Sequence, residues 1–407
     1  MKIGIFTDTY LPQINGVTFT LIQWKKELEK LGHEVFVYYP EDENYTPKKG
    51  EVPLPSFPFV FYKGYNIGIP SFKRIEKDLD IVHLNGIATM ADLGLAVARK
   101  QKIPCVLTYH TPPDRYMYEI LPVDNAIIQD ALKVAYYKYE KELIKRCQLI
   151  TSPSEEIIEL LKERWGKLIK RAVFFSNGID TEFFKETDGE VFRKDYKIPA
   201  GRIIGYTGRH SIEKHLEDLI AYADKFKGTV LIAGEGPQTE NYKLIAKGKK
   251  NVWFLGFFPR ERLCQFYSLL DVFVMPSTAE TEGLVVLEAN SCGTPAVGAN
   301  AMALKSTIQT GINGYHYEPG NVKDLGEKVE MAYKNRKKLK NSSKEFVKNR
   351  SAAKTAKNLA TLYGEVIRDF DVEKGKARPN KLNATVSKIR LKIGNGKVLR
   401  KSGDLKK

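Results

Sequence analysis

Short runs of β-branched and aromatic residues alternate with helical stretches along this chain, and the alternation happens twice. In the first series strands are expected at 3–6, 35–39, 81–84, 106–110, 149–152 and 173–176, and helices at 17–31, 90–101, 131–146 and 155–164. In the second, strands are expected at 203–207, 229–233, 252–255, 272–275 and 294–298. Its helices are expected at 213–226, 239–247, 260–269, 283–291 and 322–334. Strand–helix alternation forces parallel pairing, because a parallel connection needs a crossover and a helix supplies one. Right-handed crossovers then cover both faces of each sheet. The expected fold class is therefore α/β, with two doubly wound parallel-sheet domains facing a central cleft. They comprise residues 1–178 and 179–346, joined near 176–185. A Lys-rich helix at 347–370 is expected to cross back onto the first domain, ahead of a basic tail at 371–407. Ligands of such sheets bind beyond the carboxyl ends of the strands, so the cleft is the expected site.

Charge limits the partners. Lys and Arg number 65 against 49 Asp and Glu, a net +16. The tail alone holds twelve cations against three acids, a net +9, so more than half of the excess lies outside the two domains. Such a segment is either solvated or an electrostatic attachment to an anionic surface. Within it Ile389, Leu391 and Ile393 alternate with Lys388, Arg390 and Lys392 ahead of Gly394-Asn395-Gly396, a hairpin pattern with one basic face. No nucleic-acid module is visible, so no nucleic-acid partner is expected. The four cysteines show no metal-ligand spacing and read as buried free thiols in a reducing compartment. The opening apolar run meets Asp8 too soon for a signal-peptide core, and no stretch nears the ~18 apolar residues of a membrane span. The expectation is a cytoplasmic protein, attached peripherally to the inner face of the cell membrane if it meets lipid.

Two motifs carry chemistry. After the strand at 272–275 comes Pro276-Ser277-Thr278-Ala279-Glu280-Thr281-Glu282-Gly283-Leu284-Val285-Val286-Leu287-Glu288-Ala289. Gly283 can bring a helix start close to a ligand, where the N–H groups of Gly283, Leu284 and Val285 would face an anion. Glu280 and Glu288 would then accept from sugar and ribose hydroxyls. The second motif is Gly208-Arg209-His210-Ser211-Ile212-Glu213-Lys214. Cations at a helix start oppose its dipole unless an anion lies between them, and a departing nucleoside diphosphate is such an anion. From the first domain, Asn15-Gly16 precedes a helix and would bring the Gly16 N–H to the same anion. His110 ends a strand. His83 reads as structural, and Asp78-Leu79-Asp80 as the entry to a buried strand with no metal expected. Gly234-Glu235-Gly236 lacks the third glycine of a dinucleotide fingerprint.

Glu280, Gly283 and Glu288, with Gly208-Arg209 and Lys214, Asn177-Gly178-Ile179-Asp180 and Gly293-Thr294-Pro295, resemble family 4 glycosyltransferases over roughly residues 1–370. The resemblance implies the two-domain type B fold and a retaining transfer from a nucleotide sugar, a UDP- or GDP-hexose, with no cofactor or metal. It implies that the second domain holds the donor and the first the acceptor. Arg209 and Lys214 would bind the diphosphate, Glu288 the ribose and Glu280 the hydroxyls of the moving sugar. His110 would stand beside that sugar, and backbone near Phe254 and Leu255 would hold the base. Two departures stand out: His215 where the family commonly has glycine, and Ala299-Asn300-Ala301-Met302-Ala303-Leu304-Lys305 where many members have Gly-Gly-x-Pro-Glu.

The opening Thr7-Asp8-Thr9-Tyr10-Leu11-Pro12 resembles diacylglycerol glucosyltransferases, which are peripheral membrane enzymes. Aromatic and basic residues mix at 54–74, at Tyr116-Met117-Tyr118 and at 133–146. That mixture suits the headgroup layer of an anionic membrane, and equally a core with solvated lysines outside it. A lipid-linked acceptor is the expectation. A soluble acceptor (a sugar phosphate or a glucan), a sugar-nucleotide epimerase and a nonenzymatic membrane or nucleic-acid binding protein are the alternatives.

Overall fold

The computed structural model describes residues 1–59, 65–110 and 126–374. Tyr116, Met117, Tyr118 and nearly all of the basic tail, including its hairpin pattern, lie outside the described residues.

Two parallel sheets form the frame. The first has seven strands in the spatial order Glu51–Leu54, Glu34–Pro40, Lys2–Thr7, Ile81–Asn85, Cys105–Thr108, Leu149–Ser152 and Ala172–Phe174. The second has six: Val252–Gly256, Thr229–Ala233, Ile203–Thr207, Val272–Met275, Ala296–Ala299 and Gly314–Tyr317. Every residue of Ile81–Asn85, Ile203–Thr207 and Thr229–Ala233 is buried. Helices cover both faces of such strands, so they read as continuous apolar runs rather than as alternation. In each sheet the strand order reverses beside the first strand of its series, Lys2–Thr7 or Ile203–Thr207. The crevices opened by these reversals lie at the carboxyl ends of the strands.

The linker and the last helix tie the lobes together. Trp24, fully buried in the helix Gly16–Lys30, donates through Nε1 to Asn177 O at 2.8 Å, and Gln23 Nε2 donates to Asp180 Oδ2 at 2.8 Å. The helix Val322–Lys348 buries Leu325, Val329, Ala332, Leu339 and Val347 and runs well past the expected end at 334. The chain crosses to the first lobe at Asn349–Ser351, where Ser351 Oγ caps the helix Ala352–Glu373 by accepting from Lys354 N. Ala356, Leu359, Tyr363 and Val366 then join Ile3, Leu21 and Trp24 in one core. The expected helix at 347–370 is thus the end of one helix, a break and a second helix. At the crossing, Ile179 N donates to Arg350 O at 2.9 Å and Ala352 N to Ile179 O at 2.7 Å, so the two interlobe passages pair with each other.

Further local structures differ from expectation. The edge strands Glu51–Leu54 and Gly314–Tyr317 were not expected; Pro53 and Gly314 break their strand pattern, and an edge position tolerates both. The pair Ser56–Pro58 and Asn66–Gly68 forms a small antiparallel ribbon. The expected helix 213–226 is a 3-10 turn, Ile212–Lys214, followed by the helix Leu216–Tyr222, because His215 between them is left-handed at φ 46°.

Candidate active site

Helix starts from both lobes face each other across the cleft. In the first lobe, Asn15 caps the helix Gly16–Lys30: its Oδ1 accepts from Thr18 N at 2.9 Å, and its Nδ2 donates to Thr9 Oγ1 at 2.8 Å. In the second, Gly283 caps the helix Leu284–Ser291 at φ 77°, a left-handed conformation costly for other residues. A Cβ on Gly283 would also lie 2.8 Å from Leu304 Cδ2. A Cβ on Gly16 would come within 3.4 Å of Leu284 Cδ1, so the two starts nearly touch. Neither first turn contains an acid, so both positive dipole ends act on the same space.

The loop carrying Arg209 is held by backbone. Gly208 N donates to Ala233 O at 3.2 Å, His210 N to Glu235 O at 3.1 Å, and Gln238 N to His210 O at 2.9 Å. A Cβ on Gly234 would lie 2.0 Å from Gly208 O, so this approach needs glycine there. The second glycine-rich segment therefore supports the Arg209 loop. Lys214 follows in the 3-10 turn, and its Nζ lies 2.5 Å from Glu280 Oε1, both side chains being about six-sevenths buried at 15% and 14% exposure. Thr278 N donates to Glu213 O at 3.1 Å, which joins the two motif loops directly.

Two adjoining cavities fill the cleft. The larger, about 490 Å³, is lined by Asn15, Gly16, His110, Gly208, Arg209, Lys214, Glu280, Gly283, Leu284 and Val285 among others. The smaller, about 320 Å³, is lined by Glu288, Arg260 and Tyr267 and shares Asn15, Gly16, Gly208, Leu284 and Val285 with the larger. All eleven residues singled out in the sequence thus meet in one cleft, Glu288 at one end and His110 at the other. Phe254 and Leu255 line neither cavity, and Arg260 and Leu263 are among the residues that line the smaller one.

Burial sets the protonation of the site. Glu288, which accepts from Tyr267 Oη at 2.6 Å, is pushed up to about 7 by desolvation, against the pull of that bond and of the Arg260 charge. Burial pushes His110 down to about 4, so its ring is neutral at pH 7. His110 Nε2 lies 3.0 Å from Asn85 Oδ1, an acceptor, which places the proton on Nε2 and leaves the Nδ1 lone pair for a hydroxyl. His83, by contrast, is fully buried against Trp24, with Nδ1 2.5 Å from Tyr363 Oη and Nε2 2.6 Å from Thr108 Oγ1. Asp80 accepts from Lys2 N at 2.7 Å at the mouth of its strand. The stretch in place of Gly-Gly-x-Pro-Glu packs under the motif loop, with Met302 left-handed and Ala303 N donating to Glu280 O at 3.4 Å.

Two family models match the chain in succession, Glycosyltransferase Family 4 over residues 14–183 and Glycosyl transferases group 1 over 188–350. The chain belongs to the family 4 glycosyltransferases. This glycosyltransferase is 29% identical over 338 residues to alpha-monoglucosyldiacylglycerol synthase of Streptococcus pneumoniae, covering 78% of this chain and 75% of that protein. It is 25% identical over 328 residues to a GDP-mannose-dependent alpha-mannosyltransferase of Corynebacterium glutamicum, covering 77% and 76%. Its fold is that of sucrose-phosphate synthase from Thermosynechococcus elongatus (TM-score 0.69, 19% identity, 90% and 98% covered). The Anabaena protein HepE, solved in complex with UDP, gives the same score at 17% identity, with 90% and 100% covered. These structures establish the type B architecture of the glycosyltransferase.

Sequence reasoning missed four residues of this site. Asn85 holds His110, Tyr267 holds Glu288, Glu282 ties the motif loop to the linker, and Arg260 lines the smaller cavity. Only Glu282 carried a signal, since it stands inside the motif.

Proposed function

We propose that this glycosyltransferase moves a hexose, with retention of configuration, from a UDP- or GDP-hexose to a lipid-linked hydroxyl at an anionic membrane surface. The observation that supports it most is the convergence of both helix starts, the Lys214–Glu280 pair and Glu288 on one cleft. In this reading the nucleoside lies in the smaller cavity with its ribose on Glu288. The diphosphate lies at the shared wall, beneath the N–H groups of Gly16, Leu284 and Val285 and beside Gly208. The hexose lies in the larger cavity between Glu280 and His110. Arg209 and Lys214 stabilise the charge that grows on the diphosphate as the glycosidic bond breaks. The departing phosphate takes the acceptor's proton on the same face, so no protein nucleophile is needed. Glu280 keeps Lys214 aimed at the leaving group while accepting from sugar hydroxyls, and His110 Nδ1 accepts from another. No metal or other cofactor has a part in this scheme.

The lipid acceptor rests on the first lobe and on the relatives. Phe57, Ile69 and Phe72 are 49%, 45% and 45% exposed in a segment that also carries Lys73 and Arg74, and Lys100 lies over the Phe72 ring. The helix Ala126–Arg146 likewise exposes Ile128 and Val134 beside Lys133 and Lys138. Large apolar side chains flanked by cations suit an interface between headgroups and acyl chains. Among the described residues no helix is long and apolar enough to cross a membrane. The test is transfer of labelled hexose from UDP-glucose and from GDP-mannose into organic-extractable product, on vesicles of neutral or anionic lipid containing diacylglycerol. Product on anionic vesicles, reduced by deleting residues 375–407, supports the reading. Labelled product that stays water-soluble whatever the vesicle would replace the lipid with a soluble acceptor.

A further inference from the structure

The smaller cavity holds a cation that neither motif contains. Arg260, which opens the 3-10 turn Arg260–Arg262 after the strand Val252–Gly256, has its guanidinium 4.6 Å from the ring centroid of Phe19, 4.3 Å from Phe183 and 5.3 Å from Phe184. Phe19 belongs to the helix Gly16–Lys30 of the first lobe, whereas Phe183 and Phe184 pack on the core of the second. Among the described residues Arg260 makes no ion pair. Three rings lie close to the guanidinium charge, and rings accept no N–H in the way a carboxylate does, so its donors are available to another acceptor. Arg260, Phe19 and Phe184 line the same cavity as Glu288.

On the donor placement proposed above, we infer that Arg260 is a donor-positioning residue. Its ring contacts bridge the lobes at the nucleoside end of the cleft and fix a cation in the wall that Glu288 shares. A nucleoside entering there would meet an arginine already ordered, so little side-chain entropy is lost on binding. Because Phe19 comes from the opposite lobe, the contact also ties donor occupancy to the closed arrangement of the lobes. The reacting sugar lies at the far end of the cleft, so Arg260 should act on donor binding and leave the chemical step alone.

Donor-saturation kinetics on the full chain test this, with Arg260→Ala, Arg260→Lys, Phe19→Leu, the Phe19–Arg260 double variant and Glu288→Gln, each checked for folding by circular dichroism. Arg260→Ala should raise the donor KM about ten-fold with kcat within two-fold, and Arg260→Lys should recover part of the loss. Phe19→Leu should raise it about five-fold, the scale of one cation–π contact. The double variant should be no worse than Arg260→Ala alone, because both changes remove the same contact. An unchanged donor KM in Arg260→Ala, with a raised one in Glu288→Gln, overturns the inference and leaves the donor placement standing. Unchanged values in both overturn the donor placement itself. Fully additive losses in the double variant overturn the bridging role of Phe19. If Arg260→Ala does not fold, Arg260→Lys and Phe19→Leu carry the same comparison.

Discussion

Glu282 offers a test of the linker contact that can be read without substrate. Its side chain is 2% exposed and lies between the motif loop and the linker, accepting from the Ser176 hydroxyl and from Asn177 N at 3.1–3.2 Å. Burial pushes the carboxyl from 4.5 up to about 7, although these bonds and the Arg350 charge oppose the rise. A folded-state value above the unfolded one means that the folded protein holds the proton more tightly. Stability from this group is therefore full below about 4.5 and is lost as pH rises through about 7. The gap is worth roughly 3 kcal/mol, most of it spent between pH 5 and 7.5. Glu282→Gln keeps the shape and one acceptor oxygen but cannot ionise. Thermal midpoints of wild type and Glu282→Gln, recorded from pH 5 to 8.5, should diverge by several degrees, the variant gaining on wild type as pH rises. Glu288 and Asp8, also raised by burial, are common to both proteins and cancel in the difference. Parallel curves would mean that Glu282 ionises as easily folded as unfolded, and that burial does not hold its proton.

Lys214→Ala should slow transfer at least ~100-fold, the scale of removing one charge contact from a transition state, and donor kinetics would show the loss in kcat. Glu280→Gln should lower transfer by a similar factor and leave binding of the nucleoside diphosphate near wild type, a split that calorimetry resolves. Gly283→Ala forces a left-handed alanine against Leu304, and we expect a loss of about 1–3 kcal/mol in denaturant unfolding with weakened donor binding. Tyr363→Phe leaves His83 Nδ1 without its buried partner and should cost about 1–3 kcal/mol with kcat unchanged, since that pair lies in the core and not in the cleft.

The frame was legible in the sequence because strands buried on both faces announce themselves as unbroken apolar runs. Ile203–Thr207, Thr229–Ala233, Val272–Met275 and Leu149–Ser152 lie where those runs lie. The edge strand Glu51–Leu54 was hidden because Pro53 interrupts its four residues, and an edge tolerates a proline that a central strand would reject; Gly314–Tyr317 opens on a glycine and follows a turn, so its apolar run is too short to stand out. The break at His215 was illegible for another reason, since nothing local marks a histidine as left-handed. It stands where glycine is common in the family, and the conformation that glycine adopts without strain is the one found here. The site divides in the same way. Glu280, Gly283 and Glu288 are contiguous, so their shared purpose shows in spacing alone. Asn85, Tyr267 and Arg260 come to the cleft from distant strands and helices, and only the packing of two sheets brings them there.

On the proposed placement, the cleft between the lobes holds a nucleoside-diphosphate sugar by Glu288 at one end and by the paired Lys214 and Glu280 at the other. Calorimetric titration of the full chain with UDP-glucose and with GDP-mannose, repeated on Glu288→Ala and Lys214→Ala, measures it directly. The wild-type protein should bind one of these donors saturably and one-to-one, and each variant should bind it at least ten-fold more weakly. Binding of equal strength in all three proteins, or none by the wild type to either donor, would contradict that placement.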